Sequence, residues 1–241
     1  MRGSIIEIDG KTASDFLLPK HYSGRKPTIS KAFGWFNSKQ YDFDNLKAVC
    51  TFGKPATPTL CVGICGKEYA NSVYELNRLC RVDGWNEPLS QFVSACLRRL
   101  RTENWIIVSY ADTAMNHHGY IYQACNFLYT GCTKERTDLF VPGGGHSRHY
   151  KSEDQGEYRA VRSPKHRYIY FCTFNKRLKK EWKDHLLYQV VPYPKGDNNK
   201  DYRLGEFINT TLIRLSDNQL ISEKDVEHQT NENENYSFEG W

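Results

Sequence analysis

A run of strand, helix and strand between residues 73 and 112 constrains the fold of this chain most strongly. Residues 73–80 are interpreted as a strand, residues 81–87 as a loop and residues 88–103 as a helix. Residues 105–112 begin with a continuous apolar run, which is typical of a buried strand. The helix is indicated by apolar side chains that share one stripe at helical spacing: Leu89, Phe92, Val93, Cys96, Leu97 and Leu100. This order predicts two parallel strands with a helix packed on the sheet.

The loop at residues 81–87 connects the first of these strands to the start of the helix. A helix N-terminus presents unpaired N–H groups and the positive end of a dipole, which together suit a phosphate or pyrophosphate. Gly84 allows the backbone to turn or to approach a ligand closely. The loop lacks both GxGxxG and GxxxxGK[ST], so an ordinary strand-to-helix connection stays open as the alternative.

Elements on both sides of this unit complete a mixed α/β pattern. A turn at residues 9–10 leads into a short helix, which Thr12 or Ser14 could cap. Gly131 is expected to end a helix that begins around residue 120. The further predicted strands are residues 4–8, 32–36, 47–52, 59–66 and 168–172, and a basic helix is predicted at 175–183.

The charge distribution is uneven along the chain. Residues 217–241 hold seven acids and one lysine, so the other residues carry 32 basic and 21 acidic groups, a net charge of +11. We predict one domain over residues 1–216, with a basic, glycine-rich insertion at 141–167, and a loosely ordered acidic tail over 217–241. A basic body suits a polyanion such as nucleic acid, although plain solubility explains the composition equally well. The insertion and the basic helix together could form a DNA-facing surface, or the helix could simply be solvated.

The eight cysteines indicate free thiols in a reducing setting. No C-x-x-C occurs, and Cys61 and Cys65 would lie ~13 Å apart in a strand, too far to share one zinc ion. The sequence shows no signal peptide and no apolar run of eighteen residues. We therefore expect a cytoplasmic protein without a membrane segment.

Several polar residues are candidates for chemistry. His21 and Tyr22 lie in a segment punctuated by proline and glycine; they could supply a metal ligand, an acid or base, or a stacking ring, or they could be incidental loop residues. Asp112 ends the second strand of the central unit, where it could ligate a metal, act as a base or cap the next helix. His117 and His118 point ~100° apart if helical, so at most one belongs to a site.

Four blocks in this order resemble the phage Mom family, within the GNAT acetyltransferase superfamily. They are residues 21–25 (HYSGR, with Pro27), 75–79 (ELNRL), 109–112 (SYAD) and 122–131 (YQACNFLYTG). Together they span about residues 15–135. The usual GNAT signature Q/R-x-x-G-x-G/A is absent, and RVDGWN at residues 81–86 stands in its place.

The resemblance implies a GNAT-like fold, with a mixed, largely antiparallel central sheet and flanking helices. It implies an enzyme of phage-infected host cytoplasm that converts adenine in double-stranded DNA to N6-carbamoylmethyl adenine, which shields the DNA from restriction. The donor would be of the acetyl-CoA type, and iron is the implied metal because the methyl carbon of the donor must be activated. Alternatives are a conventional GNAT N-acyltransferase on protein, tRNA or a small amine, and a non-catalytic nucleic-acid-binding protein.

The resemblance also implies roles for individual residues. His21, Tyr22 and Asp112 are the expected iron ligands and catalytic residues, and Tyr129, expected on the helix before Gly131, would donate a proton to the departing CoA thiolate. The expected cofactor-binding residues are Arg78, Leu79, Arg81, Gly84, Ser90, Ser109 and Asn116.

Overall fold

The computed structural model describes residues 3–21, 26–141, 156–196 and 210–226, which form two compact units. The first unit comprises the chain up to Thr133 together with the stretch from Lys165 to Glu206. The second comprises Lys134–Pro164 and the chain from Phe207 onwards.

A seven-stranded sheet organises the first unit, in the spatial order β1-β2-β3-β4-β5-β9-β6. Only β4 and β5 run parallel among the described strands; every other neighbouring pair is antiparallel. The mixed, largely antiparallel fold class is therefore confirmed. The strands are β1 (Ser4–Ile8), β2 (Lys31–Phe36), β3 (Leu46–Gly53), β4 (Val73–Arg81), β5 (Trp105–Asp112), β6 (Leu128–Cys132) and β9 (Lys165–Cys172).

Helices cover both faces of this sheet, so β5 is buried on both sides. The helix α3 packs its predicted apolar stripe against one face, next to Trp35, Ile107 and Tyr168. The helices α2 and α5 pack against the other face, where Ile64 and Trp182 contact the cluster of Val108 and Phe171. The α-helices of this unit within the described residues are α1 (Gly10–Leu17), α2 (Pro58–Cys65), α3 (Leu89–Leu100), α4 (Tyr120–Ala124) and α5 (Lys176–Asp184).

The parallel strands β4 and β5 separate soon after they meet. They pair only where Val73, Tyr74 and Glu75 lie opposite Ile106, Ile107 and Val108. Beyond that point the Ser109 hydroxyl donates to the Leu76 carbonyl at 2.9 Å across the gap. We call the space between the carboxyl halves of these two strands the strand opening.

Two element predictions were wrong. Residues 59–66 are not a strand: Pro58 opens helix α2, and the apolar residues 60, 61, 64 and 65 form a helical stripe on the core. Cys61 and Cys65 are therefore one helical turn apart, ~6 Å, instead of ~13 Å. The helix predicted around residues 120–129 ends at Ala124, because Asn126 adopts a left-handed conformation with φ of 61° and Leu128 begins strand β6.

The cap of the first helix also differs from expectation. Asp9, predicted in a turn, accepts hydrogen bonds from the backbone N–H groups of Lys11 and Thr12 and so caps α1 in place of Thr12 or Ser14. Ser14 is buried and donates to the Gly10 carbonyl at 2.7 Å. The helix itself is confirmed, with Phe16 and Leu17 buried.

The second unit is a four-stranded antiparallel sheet in the order β11-β10-β8-β7, with a small core of Ala160, Leu212 and Val226. Its strands are β7 (Arg136–Phe140), β8 (Tyr158–Arg162), β10 (Thr211–Arg214) and β11 (Leu220–Ser222). The predicted insertion at 141–167 thus ends in β8 and the start of β9, while residues 142–155 lie outside the described part. The acidic stretch begins with a turn and the strand β11, followed by a helical segment over residues 223–226, and residues 227–241 also lie outside the described part. The single domain over 1–216 stays a prediction.

None of the described helices has the length and apolar character needed to cross a membrane.

Candidate functional site

Charged side chains from four parts of the chain meet at the strand opening. His21 follows α1, with its N–H bonded to the Leu17 carbonyl at 2.8 Å. Arg78 and Lys165 both act electrostatically on His21 and on Glu75. We call the following set the charged cluster: His21, Glu75, Arg78, Asp112, His117 and Lys165.

The alternation of each strand fixes the face on which this cluster lies. Asp112 follows Val108 and Tyr110 at two-residue spacing, and those side chains pack on the α2 and α5 side. Lys165 stands in the same relation to Ile169 and lies opposite Asp112 in the register of β5 and β9. The charged cluster therefore occupies the α2 and α5 face, at the carboxyl end of β5.

Asp112 is buried and both of its carboxylate oxygens are engaged. Oδ1 accepts from the Ala114 N–H at 3.0 Å, which caps the short 3₁₀ turn after β5. Oδ2 accepts from Lys165 Nζ at 2.5 Å. Capping was one of the alternatives that the sequence left open, and the structure adds a cation that the sequence did not point to.

Glu75 is the residue of this cluster that sequence reasoning missed as a catalytic candidate. Burial raises the pKa of its carboxyl group, although Arg78 and Lys165 oppose that rise. Within the described residues its carboxylate has no hydrogen-bond partner, and it sits where β4 and β5 part. The sequence did contain one signal for Glu75. It lies two residues after the apolar Val73 in a predicted central strand, so both side chains point to the same inner face, where a carboxylate is rare unless it has a function.

The histidines of the cluster are held neutral. Burial, followed by Arg78, His117 and Lys165, lowers the pKa of His21 to about 3. Burial and His118 also lower the pKa of His117, against the opposing effect of Asp112. A neutral imidazole at neutral pH is able to accept a proton, a hydrogen bond or a metal ion.

The implied iron ligands are only partly consistent with this arrangement. His21 has the required neutral ring, but Asp112 would have to give up Lys165, and Tyr22 lies outside the described residues. In the described part of the chain, no group of three or more His, Cys, Asp or Glu side chains could hold a metal ion. The described side chains thus do not complete a metal site, and the iron assignment stays a prediction.

The loop before α3 has the features expected of a phosphate-binding turn. Gly84 has φ of 72° and open space around the position of a Cβ atom. The helix begins after Pro88, and no described side chain caps it, so its first N–H groups face outward from the helix end. Arg81, the last residue of β4, is half-buried beside this loop.

The other predicted cofactor-binding residues have varied positions. Ser90 lies in the first turn of α3, and its carbonyl accepts from the Cys125 thiol at 3.3 Å. Leu79 packs on the core cluster under α3, while Ser109 spans the strand opening. Asn116 adopts a left-handed turn with φ of 50°, where its role stays a prediction.

Tyr129 lies on the opposite face of the sheet from the charged cluster, and in a strand. The expectation of a helical position was wrong, since Tyr129 pairs with Tyr168 across β6 and β9. Its side chain is 8% exposed, and its hydroxyl lies 2.9 Å from His166 Nδ1. Burial raises the pKa of the phenol, which keeps it protonated at neutral pH.

A network of aromatic and histidine side chains surrounds Tyr129. The Tyr168 hydroxyl donates to the His118 carbonyl at 2.5 Å, and Gln123 Nε2 donates to the same carbonyl at 2.9 Å. The rings of His118 and His166 lie 5.5 Å apart. We call Tyr129, His118, His166 and Tyr168 the aromatic cluster. The structure thus groups His21, Arg78 and Asp112 on one face and keeps Tyr129 on the other.

Comparison with known proteins identifies a family. The model of the Mom protein family matches residues 3–195 of this chain. No curated protein matches it.

Solved structures that are similar to the chain are acetyltransferases, with partial overlap. An N-acetyltransferase from Staphylococcus aureus has 12% identity and a TM-score of 0.43, over 72% of this chain and 100% of that one. The yncA protein of Salmonella typhimurium, solved with its cofactor acetyl-CoA, has 7% identity and a TM-score of 0.44, over 73% and 97%. A Bacillus subtilis acetyltransferase in complex with CoA has 14% identity and a TM-score of 0.34, over 58% and 76%.

Proposed function

Because this chain belongs to the Mom protein family, we propose that it is a transferase that modifies adenine in DNA with an acetyl-CoA-type donor. The proposed product is N6-carbamoylmethyl adenine in phage DNA, which would protect that DNA from host restriction. The observation that carries the proposal is the charged cluster at the strand opening, in which Asp112 is buried and the other five residues are half-buried. Such a set of mutually perturbed ionisable groups costs folding free energy and is typical of active sites.

Glu75 is proposed as the group that receives a proton from the adenine N6 amine. The lone pair of that amine is delocalised into the ring, so removal of an N–H proton in the transition state makes the nitrogen a better nucleophile. The bond from N6 to the methyl carbon of the donor also breaks a C–H bond and removes two electrons, an oxidation that the implied iron, with an external oxidant, would supply. A carboxylate with a raised pKa is a stronger base than an exposed one, and Glu75 is half-buried without a hydrogen-bond partner among the described residues.

Arg78 and Lys165 would then stabilise negative charge that develops beside Glu75. Both act on the Glu75 carboxyl, and Lys165 also holds Asp112 in place. Cations fixed in a partly buried site stabilise such charge more than they would in water. Because the site lies where two central strands of the sheet part, the adenine must leave the base stack to reach it.

The donor is proposed to bind across the loop at residues 82–88 and the N-terminus of α3. The uncapped N–H groups of α3 and the open backbone at Gly84 suit a pyrophosphate. Arg81 would supply a cation, and Ser90 and Ser109 would lie along the acyl arm. Tyr129 would protonate, from the opposite face, the CoA thiolate that departs when a nitrogen nucleophile replaces sulfur on the acyl carbon and forms the carboxamide. Its phenol is available for this because it is protonated at neutral pH.

The test is mass spectrometry of nucleosides from plasmid DNA of cells that express the full chain. We expect a deoxyadenosine adduct heavier by one carbamoylmethyl group, absent with the E75Q variant. Unmodified DNA from cells with soluble protein would contradict the proposal.

A conventional N-acyltransferase is the second candidate, favoured by the presence of both groups that amide formation needs. Glu75 offers a base and Tyr129 a proton donor for the thiolate. An acetyl group on an amine of protein, tRNA or a small molecule, with unmodified adenine, would support this candidate against the first.

A further inference from the structure

The helix α5 carries five cations that no carboxylate of the described residues neutralises. Its apolar residues Leu178 and Trp182 pack onto the core, and the exposed side carries Lys176, Arg177, Lys179, Lys180 and Lys183. We call these five residues the α5 surface. None of them forms an ion pair or a side-chain hydrogen bond with any residue that the structure describes, whereas Lys11 and Lys31 are each paired with a carboxylate.

The two acidic residues of the same helix offset these charges only in part. Glu181 accepts from the Tyr69 hydroxyl at 2.5 Å and is turned toward that ring, which leaves Asp184 as the exposed acid of α5. Five like charges on nine residues repel one another, by a few tenths of a kcal/mol for each pair at i,i+4 spacing. A polyanion laid along the helix would remove that repulsion.

The patch continues around the C-terminal end of β9. Arg101, just after α3, and Lys179 both act electrostatically on Cys172, so the end of α3 and the helix α5 are close neighbours. The Arg101 guanidinium lies over the ring of Phe174 at 5.5 Å, and that ring is 65% exposed. Cations beside an exposed aromatic ring are typical of nucleic-acid-binding surfaces.

The α5 surface shares a face of the sheet with the charged cluster. Strand β9 runs from Lys165, at the cluster, to Cys172, just before α5 begins. Seven residue steps correspond to ~24 Å, or about seven base pairs of duplex DNA. Arg167, which lies over Tyr188 at 3.3 Å, is two residues from the cluster along this path.

We propose that the α5 surface binds the phosphate backbone of duplex DNA about seven base pairs from the adenine at the strand opening. This inference rests on the proposed function, since it assumes that DNA is the substrate. The surface would contribute affinity and register without reading sequence, because its contacts are to phosphates.

The salt dependence of binding tests this directly. The full chain and the K176Q/K180Q variant are titrated with a 24-base-pair duplex, by fluorescence anisotropy, between 50 and 300 mM salt. Each phosphate contact contributes about 0.9 to the slope of log K against log salt, so the slope should fall by about 1.8. The matched control is K11Q/K31Q, whose lysines are already paired, and its slope should equal that of the wild type.

The outcomes separate this inference from the proposed function. Suppose that the wild type binds DNA but the slope of K176Q/K180Q is unchanged, or is reduced only as much as that of the control. The proposed DNA-binding role of the α5 surface is then wrong, and the proposed function stands. If the wild type does not bind duplex DNA at all, the inference and the proposed function both fail.

Steady-state kinetics add a second check: K176Q/K180Q should raise KM for the 24-base-pair duplex with kcat unchanged. KM should not change for a duplex that ends three base pairs from the adenine.

Discussion

The two faces of the sheet carry clusters of different character at the same level of β5 and β9. In the charged cluster, Glu75 and His21 are half-buried, and their pKa values are moved toward the neutral forms. In the aromatic cluster, neutral groups satisfy each other: Tyr168 and Gln123 share the His118 carbonyl, and Tyr129 meets His166. The face with the charged cluster therefore holds groups that destabilise the folded state, and the face with the aromatic cluster holds groups that stabilise it.

This difference separates the roles of the two faces. Buried groups with perturbed pKa values persist at functional sites because a reaction uses them, at a cost in stability. The aromatic cluster is packed tightly: a Cβ atom at Gly119 would lie 2.3 Å from the Tyr168 ring. Substitutions in the charged cluster should thus affect activity more than stability, and those of His118, His166 and Tyr168 in the aromatic cluster should do the reverse. Tyr129 is set apart, because it is also the proposed proton donor.

The largest expected effect is on Glu75. The E75Q variant keeps the shape of the side chain but cannot accept a proton, so modification should fall by about 10²- to 10⁴-fold. Because the pKa of Glu75 is raised in the folded protein, its ionised form opposes folding above the pKa of the unfolded chain. The free energy of unfolding of E75Q at pH 8, measured in urea, should therefore equal or exceed that of the wild type.

The matched control is E7Q, which removes an exposed carboxylate that pairs with Lys31 on the outer strands. Its activity should match that of the wild type. An E75Q enzyme with full activity would remove Glu75 from the proposed mechanism.

Lys165 links the charged cluster to the stability of the fold. The K165M variant leaves the Asp112 carboxylate buried without its cation, so we expect a loss of about 2 kcal/mol in the free energy of unfolding. In the D112N/K165M variant, the carboxamide that replaces the carboxylate keeps an oxygen for the Ala114 N–H, and the charge that lost Lys165 is removed with it. That double variant should recover most of the loss in urea unfolding; equal instability of both variants would mean that packing of the Lys165 chain is what matters.

His21 makes stability depend on pH. Its pKa is about 3 in the folded protein and near 6.5 unfolded, so the unfolded chain binds the proton first as pH falls. The stabilising effect of the neutral ring is complete above pH 6.5 and is lost as pH falls toward 3. Between pH 7 and pH 5 we expect a loss of about 1–2 kcal/mol that the H21Q variant lacks. Urea unfolding at pH 7, 6 and 5 measures this, and parallel pH profiles for the two proteins would refute it.

The central unit was predictable from sequence because it depends on local periodicity. The stripe of α3 and the apolar run of β5 each fix one element and its burial, and their order fixes the parallel pair. The apolar stretch of α2 was misassigned because residues 59–66 fit both a buried strand and a short buried helix. Packing against Trp182 decides in favour of the helix, and a local sequence pattern cannot show this contact because Trp182 is distant along the chain.

The candidate site was predictable only in part, for a related reason. His21, Arg78 and Asp112 were named, and the structure brings them together, but their catalytic roles stay predictions. Lys165 joins them from 53 positions along the chain after Asp112, through the register of β5 and β9. Glu75 becomes conspicuous only when its burial is known, because in sequence it is one acid among 28.

The smallest expected effect concerns His166, and it tests the aromatic side of the comparison. The H166N variant places a carboxamide where the ring Nδ1 stood, so it can still bond the Tyr129 hydroxyl, whereas H166Q places its carboxamide near the position of Nε2. One net hydrogen bond is worth about 1 kcal/mol, so H166Q should lose about that much stability and H166N much less.

In a double-mutant cycle in urea, the stability losses of H166Q and Y129F should not add, because both substitutions remove the same hydrogen bond. If both losses add fully, His166 and Tyr129 stabilise the fold independently. If H166Q instead leaves stability unchanged and lowers kcat alone, the aromatic cluster is part of the active site in the same sense as the charged one, and the contrast between the two faces does not hold.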